Sequence, residues 1–242
     1  MRSFFFLVIL CGAFDGLGQF NDSVNYFVKL ASTGIINRTN ERDSYVLNNA
    51  LRFSVYKKNI SLNSNSGWIY GEQQQQLSNN DFVTSLDFDL YKTKRHIYYW
   101  GLLHYEKSYS LKIDDRFQGG LGIGYYAIDR ENFVLQISDG ILYESSDLTG
   151  EGAPGLEYET YRNSLRLKFR FIHLDRVTLE GVNFIQHSLS DKHDYIVRSS
   201  TNLSFRVWKF ISFTIAVNYN KLALTNRENF LLNYGIALER YF

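Results

Sequence analysis

The last fourteen residues of the chain alternate between apolar and polar side chains, and this pattern constrains the fold more than any other feature. The apolar set is Phe230, Leu232, Tyr234, Ile236, Leu238 and Phe242, interrupted by Arg240. The intervening positions are mostly small or polar. Because successive side chains of a strand point to opposite faces, the segment is predicted to be a strand with one apolar face and one wet face. A tilted strand of about ten residues can cross a bilayer.

The same alternation recurs along the chain from Gln19 onward and predicts about twelve strands, one every eighteen to twenty residues. It is clearest in residues 162–171 and 211–220. It is weakest in residues 177–186, where the apolar set changes phase near Gly181, so a β-bulge or a less regular strand is expected there.

The connections between these strands alternate between short and long. The tight connections are residues 57–59, 93–95, 128–132, 174–176 and 208–210, and the longer polar ones are 34–44, 72–81, 106–115, 145–158, 187–194 and 220–229. Pro154, the only proline, falls in a long one. Short turns on one side and longer loops on the other are typical of transmembrane barrels whose termini are both periplasmic. Since lipid offers no hydrogen bonds to an open sheet edge, we expect a closed antiparallel transmembrane β-barrel with an up-and-down meander.

Composition agrees with an all-β membrane protein. Of the 242 residues, 17% are aromatic and only one is proline. Aromatic residues gather near the predicted strand ends, where they can form interfacial girdles: Trp68, Tyr70, Tyr105, Trp208, Phe210, Tyr241 and Phe242. Aromatic residues are, however, also frequent in soluble β proteins. No apolar run is long enough for a transmembrane helix, and a net charge of +1 gives no reason to expect a nucleic-acid partner. A soluble secreted β-barrel is the alternative fold.

The N-terminus has the features of a secretion signal. Arg2 precedes the apolar stretch 4–10, and Gly16-Leu17-Gly18 is a small-x-small cleavage site. The predicted division is a signal peptide, 1–18, and one barrel domain, 19–242. A short buried helix or strand at the start of the fold is the alternative to a signal peptide. Cys11 is not expected to be lipidated, because Leu10 is too bulky for the position before a lipidated cysteine. Since Cys11 is the only cysteine, the mature chain is expected to have no disulfide or thiolate site.

Location and assembly follow from the two ends of the chain. A signal peptide followed by a barrel predicts the outer membrane of a Gram-negative bacterium, with the lipid bilayer as the first partner. The chain ends on Phe242, as bacterial outer-membrane barrels commonly do. The C-terminal strand is therefore expected to be the assembly signal that the barrel-assembly machinery reads.

One internal stretch resembles a known family. In residues 115–146 a glycine-alternating strand ends in Gly-Tyr, and after a short turn the next strand runs into Gly-x-x-Tyr-Glu. The residues concerned are Gly120, Gly122, Gly124, Tyr125, Gly140, Tyr143 and Glu144. This pattern resembles the core of the DUF481 family of outer-membrane barrels, and residues 183–220 are similar to Bacteroidetes members, with His187 where a proline is expected. The resemblance implies a fold and a location, not an activity.

Charged residues dominate the predicted inward face. Strand 8 places Arg162, Arg166, Lys168 and Arg170 inward, strand 10 adds Arg198 and Arg206, and Lys29, Arg52 and Arg116 complete the basic set. The inward acids are Asp87, Asp89, Glu106, Glu144 and Glu239. An excess of fixed positive charge would favour small anions in a pore. Alternatively the charges pair across a narrow, filled barrel, with Asp87 and Asp89 meeting arginines, because twelve strands are intermediate between filled and open barrels.

Catalytic, cofactor and metal sites are not expected. His187-Ser188 is the only adjacent histidine–serine pair, but neighbouring residues of a strand point to opposite faces, and a barrel enzyme acting on lipid is the least favoured function. His96 and His104, both predicted to point inward, are about 26 Å apart along one strand and cannot share a metal. The stretch Gly119–Gly124 is followed by a strand, whereas a nucleotide-binding glycine loop opens a helix.

Two main functions remain open. The first is a structural or narrow-channel membrane protein with a weak anion preference. The second is a surface binding or adhesion module that acts through the longer loops, residues 145–158 above all. The glutamine tract 73–76 is expected in one of these loops.

Overall fold

The computed structural model of the protein describes residues 25–38, 43–57, 60–91, 96–150 and 153–241. The predicted signal peptide, Cys11 and Phe242 lie outside these ranges. All the regular structure described is β-strand: β1 (Tyr26–Arg38), β2 (Asp43–Lys57), β3 (Ile60–Gln73), β4 (Gln76–Tyr91), β5 (Ile97–Ser108), β6 (Ile113–Arg130), β7 (Phe133–Gly150), β8 (Ala153–His173), β9 (Val177–Ser188), β10 (Tyr195–Arg206), β11 (Ile211–Leu222) and β12 (Arg227–Tyr241). The described residues contain no helix that could cross a membrane.

The twelve strands form one closed barrel. Each pairs antiparallel with its neighbours in sequence, and β1 pairs with β12 from Phe27↔Tyr241 to Thr33↔Gly235. This confirms the predicted closed antiparallel β-barrel with an up-and-down meander. We call the end where β1 begins and β12 ends the terminal rim, and the opposite end the far rim.

The connections at the far rim are shorter than predicted. In place of a loop over 72–81, β3 and β4 continue to a turn at Gln74 and Gln75, whose φ angles of 53° and 60° suit a two-residue hairpin. In place of a loop over 145–158, β7 and β8 stay paired as far as Gly150↔Ala153. The prediction took polar composition for a loop, but a strand that rises above the membrane meets water on both faces and can be polar throughout.

Strand β9 is regular, so the predicted bulge near Gly181 is wrong. Its residues pair with β8 and with β10 without a break in register. The sequence pattern changes phase there because Val182 and Phe184 line the interior, whereas Asn183 points outward and accepts a hydrogen bond from Ser199 on β10. Apolar residues inside and an amide outside invert the usual assignment of faces.

The barrel is apolar outside and polar inside. Large apolar side chains are exposed on the outer wall of nearly every strand, as with Leu121 (72% exposed) and Ile236 (60% exposed). The largest buried side chains include Arg116, Arg162 and Arg166. A soluble barrel would bury the first group and expose the second. The outer wall therefore fits lipid, as the alternation predicted.

Inward-facing glycines let two aromatic rings lie flat against the wall. A Cβ atom at Gly122 or Gly140 would come within 2.6 Å of the Trp100 ring, and one at Gly124 within 2.2 Å of the Tyr98 ring. Since β-carbons essentially never approach so closely, these positions need glycine. The GGLGIG stretch therefore provides close packing inside a strand pair, and β6 continues through it as a strand.

Candidate functional site

The interior of the barrel is the candidate site, and one half of it is crossed by ion pairs. Arg166 on β8 reaches Asp87 on β4, with Nη1 2.7 Å from Oδ1, and its Nη2 lies 3.6 Å from Asp89 Oδ1. The Arg166 guanidinium stacks 4.7 Å above the Trp100 ring, and Lys168 Nζ lies 3.7 Å from Asp87. Strands β4 and β8 are thus tied together across the lumen.

A second cluster surrounds Glu144 on β7. Arg162 donates two hydrogen bonds of 2.8 Å to its two carboxylate oxygens, and Tyr158 and Gln118 donate further ones of 2.6 and 2.5 Å. Arg162 also donates to Asp194 Oδ2 at 2.7 Å. Glu144 and Arg162 are both 0% exposed. Paired, charge-assisted hydrogen bonds of this kind compensate for the large loss of hydration that burial imposes on each charge.

A third cluster joins β10 to β5. Arg198 Nη2 donates to Glu106 Oε2 at 2.5 Å, while its Nη1 lies 2.5 Å from His104 Nε2. Arg116 approaches the same Glu106 carboxylate at 3.4 Å. Between this cluster and the previous one, Gln118 donates to Gln186 at 3.0 Å across β6 and β9. Together the three clusters fill the lumen between β4–β6 and β8–β10, and we call them the ion-pair plug.

Charged residues near the terminal rim are packed more loosely. Arg52 Nη1 lies 3.3 Å from Glu180 Oε2, and this pair again spans the lumen, from β2 to β9. Glu239 lies 3.9 Å from Lys29 Nζ and 3.8 Å from Arg206 Nε. Side-chain exposure of these groups runs from 11 to 36%, against 20% or less in the plug. The Arg52, Glu180 and Arg206 side chains are therefore more hydrated than those of the plug.

The part of the lumen that the plug leaves free is a cavity of about 710 Å³. Its lining runs from Ser110 and Asn229 at the far rim to Tyr56 and Asp129 at the terminal rim. Opposite the plug, the wall consists of small side chains that carry amides, hydroxyls or methyl groups: Ala31, Thr33, Asn48, Ala50, Asn63, Asn65, Ser85, Ser200, Asn202, Thr214, Ala216, Asn218 and Asn220. One wall of the cavity thus carries dense fixed charge, and the other is mostly neutral, with Lys29 and Arg52 toward the terminal rim.

The predicted basic stripe is distributed over these environments. Three of its arginines lie in the plug. Arg162 lies beside Glu144, and Arg198 lies beside Glu106. Arg166 lies beside both Asp87 and Asp89. Lys168 borders the plug, and Arg206 pairs with Glu239. Arg170 lines the cavity. The plug does not present the unpaired positive charge that a basic stripe would, since each of its arginines touches a carboxylate.

Sequence reasoning missed several members of the site. Glu180 lies in the segment whose phase was misread, and Asp194 lies in a turn just before β10, so neither was placed in the lumen. Gln118, Gln186 and Tyr158 carry no charge and gave no signal of their own. A search for any inward polar residue, rather than for inward charges, finds Gln118 because it alternates with the glycines of β6.

The adjacent His187 and Ser188 side chains point to opposite faces of β9. His187 is exposed on the outer wall with its ring 5.9 Å from that of Tyr195, whereas Ser188 is buried and bonded to Thr160 and Ser190. His96 does not point inward as predicted; it precedes β5 with a φ of 55°, and its ring lies against that of Tyr125. Within the described ranges, no group of three or more histidine, cysteine or acidic residues is placed to hold a metal.

Comparison with known proteins assigns the family. The model of the family described as "Protein of unknown function, DUF481" matches residues 31–228. The chain belongs to the DUF481 family. No curated protein matches the sequence. Assignment to this family agrees with the resemblance of residues 115–146, and it carries no assigned activity.

Three solved structures that resemble this DUF481 barrel are a porin, an outer membrane channel and an autotransporter translocator domain. The NanC porin has a TM-score of 0.54 at 8% identity, covering 87% of this chain and 98% of its own. An outer membrane channel from Pseudomonas putida F1 has a TM-score of 0.49 at 9% identity, with 90% and 94% covered. The translocator domain of the autotransporter NalP from Neisseria meningitidis has 0.47 at 12%, with 89% and 87% covered. At such low identity the likeness concerns the fold alone.

Proposed function

We propose that this protein is a narrow channel for small hydrophilic solutes in the outer membrane of a Gram-negative bacterium, with a weak preference for anions. The observation that carries the proposal is the cavity lined from one rim to the other. Its neutral wall offers hydrogen bonds along the whole path, so a hydrated solute meets polar groups at every level. The ion-pair plug occupies the rest of the lumen and keeps the path narrow.

The charges near the terminal rim support a weak anion preference. Four bases, Lys29, Arg52, Arg170 and Arg206, stand against three acids, Glu180, Glu239 and Asp129, which leaves one positive charge in excess. Charges inside the plug are paired and contribute little to selectivity, since a paired carboxylate cancels the field of its arginine. Fixed charge along a pore wall selects ions of the opposite sign.

Single-channel recording of the refolded protein tests this proposal. We expect a small steady conductance in potassium chloride and a reversal potential that indicates anion preference across a salt gradient. Arg52→Glu and Arg170→Glu should both reverse the preference, because each changes the local balance by two charges. Arg240→Glu makes the same change on an exposed residue of the outer wall and should leave the reversal potential unchanged. A barrel that inserts stably and passes no current contradicts the proposal.

The route to the membrane is part of the same proposal. A signal peptide removed after Gly18 and a C-terminal strand recognised by the barrel-assembly machinery would deliver the chain to the outer membrane. N-terminal sequencing of the membrane-extracted protein should begin at Gln19, and deletion of Phe242 should lower the assembled fraction. An intact N-terminus, or assembly unaffected by the deletion, contradicts these two steps.

A further inference from the structure

An acidic side chain faces outward in the middle of the apolar belt. Asp139 on β7 is exposed and has the large apolar side chains Ile137 and Ile141 two residues to either side on its own strand. Across the sheet it pairs with Ile123 of β6, which is 56% exposed. On this outer wall, Asp139 is a polar group amid side chains suited to lipid.

The depth of Asp139 follows from its position along the strand. It lies six positions after Phe133, near the terminal rim, and four positions before Tyr143, whose ring meets that of Tyr161 on β8. With a rise of about 3.4 Å per residue and a strand tilt of about 40°, Asp139 lies roughly 15 Å above Phe133. The apolar belt of such barrels is about 25 Å tall, so Asp139 is near its middle.

Asn163 on β8 lies beside this carboxylate. Its Nδ2 donates to Asp139 Oδ1 at 2.9 Å. In this described stretch the β7–β8 ladder pairs Ser138 with Arg166 and Ile141 with Asn163, and it has no pairing at Asp139 or Gly140 between them. The side-chain bond therefore bridges an interruption in the backbone ladder. Only one carboxylate oxygen and one amide hydrogen are used in it.

The remaining groups of this pair are self-complementary. Asp139 still offers a second carboxylate oxygen, which only accepts, and Asn163 still offers a second amide hydrogen. Lipid chains satisfy neither. If two copies meet around a twofold axis at this point, the amide of each copy can donate to the carboxylate of the other, because a twofold contact uses the same patch on both subunits. Ionisable groups at membrane depth are almost always paired with another polar group, because lipid cannot solvate them.

We propose that Asp139 and Asn163 form the centre of a contact between two copies of this chain within the membrane. The second copy docks against the outer wall of β7 and β8, with the apolar side chains around the pair packed against their equivalents. The contact leaves both lumens free, since it uses only outward-facing residues, and it is independent of the channel activity proposed above.

Disulfide trapping in vesicles tests the contact. Leu165→Cys places a thiol beside Asp139 near the expected twofold axis, and Ile236→Cys places one on β12, far around the barrel and similarly exposed. The refolded chain from Gln19 onward carries no other cysteine. In phosphatidylcholine vesicles at one barrel per several hundred lipids, copper-phenanthroline should oxidise the Leu165→Cys protein to a dimer at least five-fold more than the Ile236→Cys protein. Equal yields overturn the proposal.

Two further variants separate association from folding. Asp139→Leu and Asn163→Leu, each in the Leu165→Cys background, should abolish dimer formation alone, while heat-modifiable gel mobility shows that each barrel is folded. Mixed in equal amounts, they should recover part of the yield, since the Asn163 of one can still donate to the Asp139 of the other. A mixture no better than either variant alone overturns the twofold arrangement, because the pair would then serve only its own barrel.

Discussion

Neutralising Glu144 should destabilise the barrel more than any other isosteric change in the lumen. Glu144→Gln keeps the shape of the side chain but removes the charge that faces Arg162, and both residues are completely buried. The substitution weakens two charge-assisted hydrogen bonds of 2.8 Å. At about 1.5–3 kcal/mol each they sum to about 3–6 kcal/mol, close to the ~3–5 kcal/mol expected for breaking a buried ion pair. Asp194 remains beside Arg162 and keeps the loss toward the lower end.

Urea unfolding of the refolded barrel, followed by tryptophan fluorescence, measures this loss. With a slope of about 2 kcal/mol per molar urea, a loss of 3–5 kcal/mol moves the midpoint down by roughly 1.5–2.5 M. Glu157→Gln removes the same charge from an exposed position on β8 and should change stability by less than about 0.5 kcal/mol. The double variant Glu144→Leu/Arg162→Met should lose less than the sum of its single changes, by about 1–3 kcal/mol.

The opposite results would refute this reasoning. If Glu144→Gln costs no more than Glu157→Gln, the carboxylate is hydrated in solution and the plug is not a dry network. If the double variant equals the sum of its parts, Glu144 and Arg162 do not interact strongly, and the stability of this half of the lumen comes from packing alone.

Three further predictions concern the wall and the plug. Gly122→Val should lower the free energy of unfolding by at least about 1–3 kcal/mol through overpacking, because its Cβ would lie 2.6 Å from the Trp100 ring. Trp100→Ala in the same chain should relieve part of that cost, as urea midpoints of the two variants can show. An undiminished cost in the double variant would mean that the backbone contact at Asp139 dominates. Trp100→Ala alone should raise single-channel conductance, because it removes the ring on which Arg166 stacks and so loosens the plug. An unchanged conductance would mean that the plug does not set the width of the path. Ser188→Ala should lower the free energy of unfolding by about 1 kcal/mol, since the hydroxyl accepts hydrogen bonds from the backbone N–H groups of Ser190 and Asp191. His187→Ala should have little effect. Equal losses in urea titrations would show that the contact between His187 and Tyr195 on the outer wall stabilises the barrel as much as the Ser188 hydroxyl does.

The strands could be predicted because the signal for them is local. Strands β11 and β12 keep nearly complete alternation, and the structure places their bounds within a few residues of the predicted ones. Strand β9 was misread because two apolar side chains line a lumen that the pattern assumes to be polar. The far-rim turn at Gln74 and Gln75 was missed because glutamine rarely adopts positive φ, so the sequence carried no turn signal.

The candidate site could be predicted only as a set of inward charges. Strand periodicity assigns each residue to a face, and it placed Arg166 and Asp87 correctly in the interior. It has no information on which residues meet, because Arg166 and Asp87 are 79 residues apart and Arg198 and Glu106 are 92 apart. The interpretation as an open basic stripe and the interpretation as paired charges therefore both stayed open until the strands were placed around the axis.

The sequence by itself determined that this chain forms a closed barrel of about twelve strands and, outside β9 and His96, which side chains face inward. A period of two residues is a property of the strand alone, and lipid forbids an open edge. The tertiary structure decided which charges pair and which part of the lumen stays open. Those contacts depend on the tilt and stagger of the strands, which set the height at which β4 faces β8 and β5 faces β10. Alternation along one strand carries no information on this height, because the pattern is unchanged when a neighbouring strand shifts by two residues.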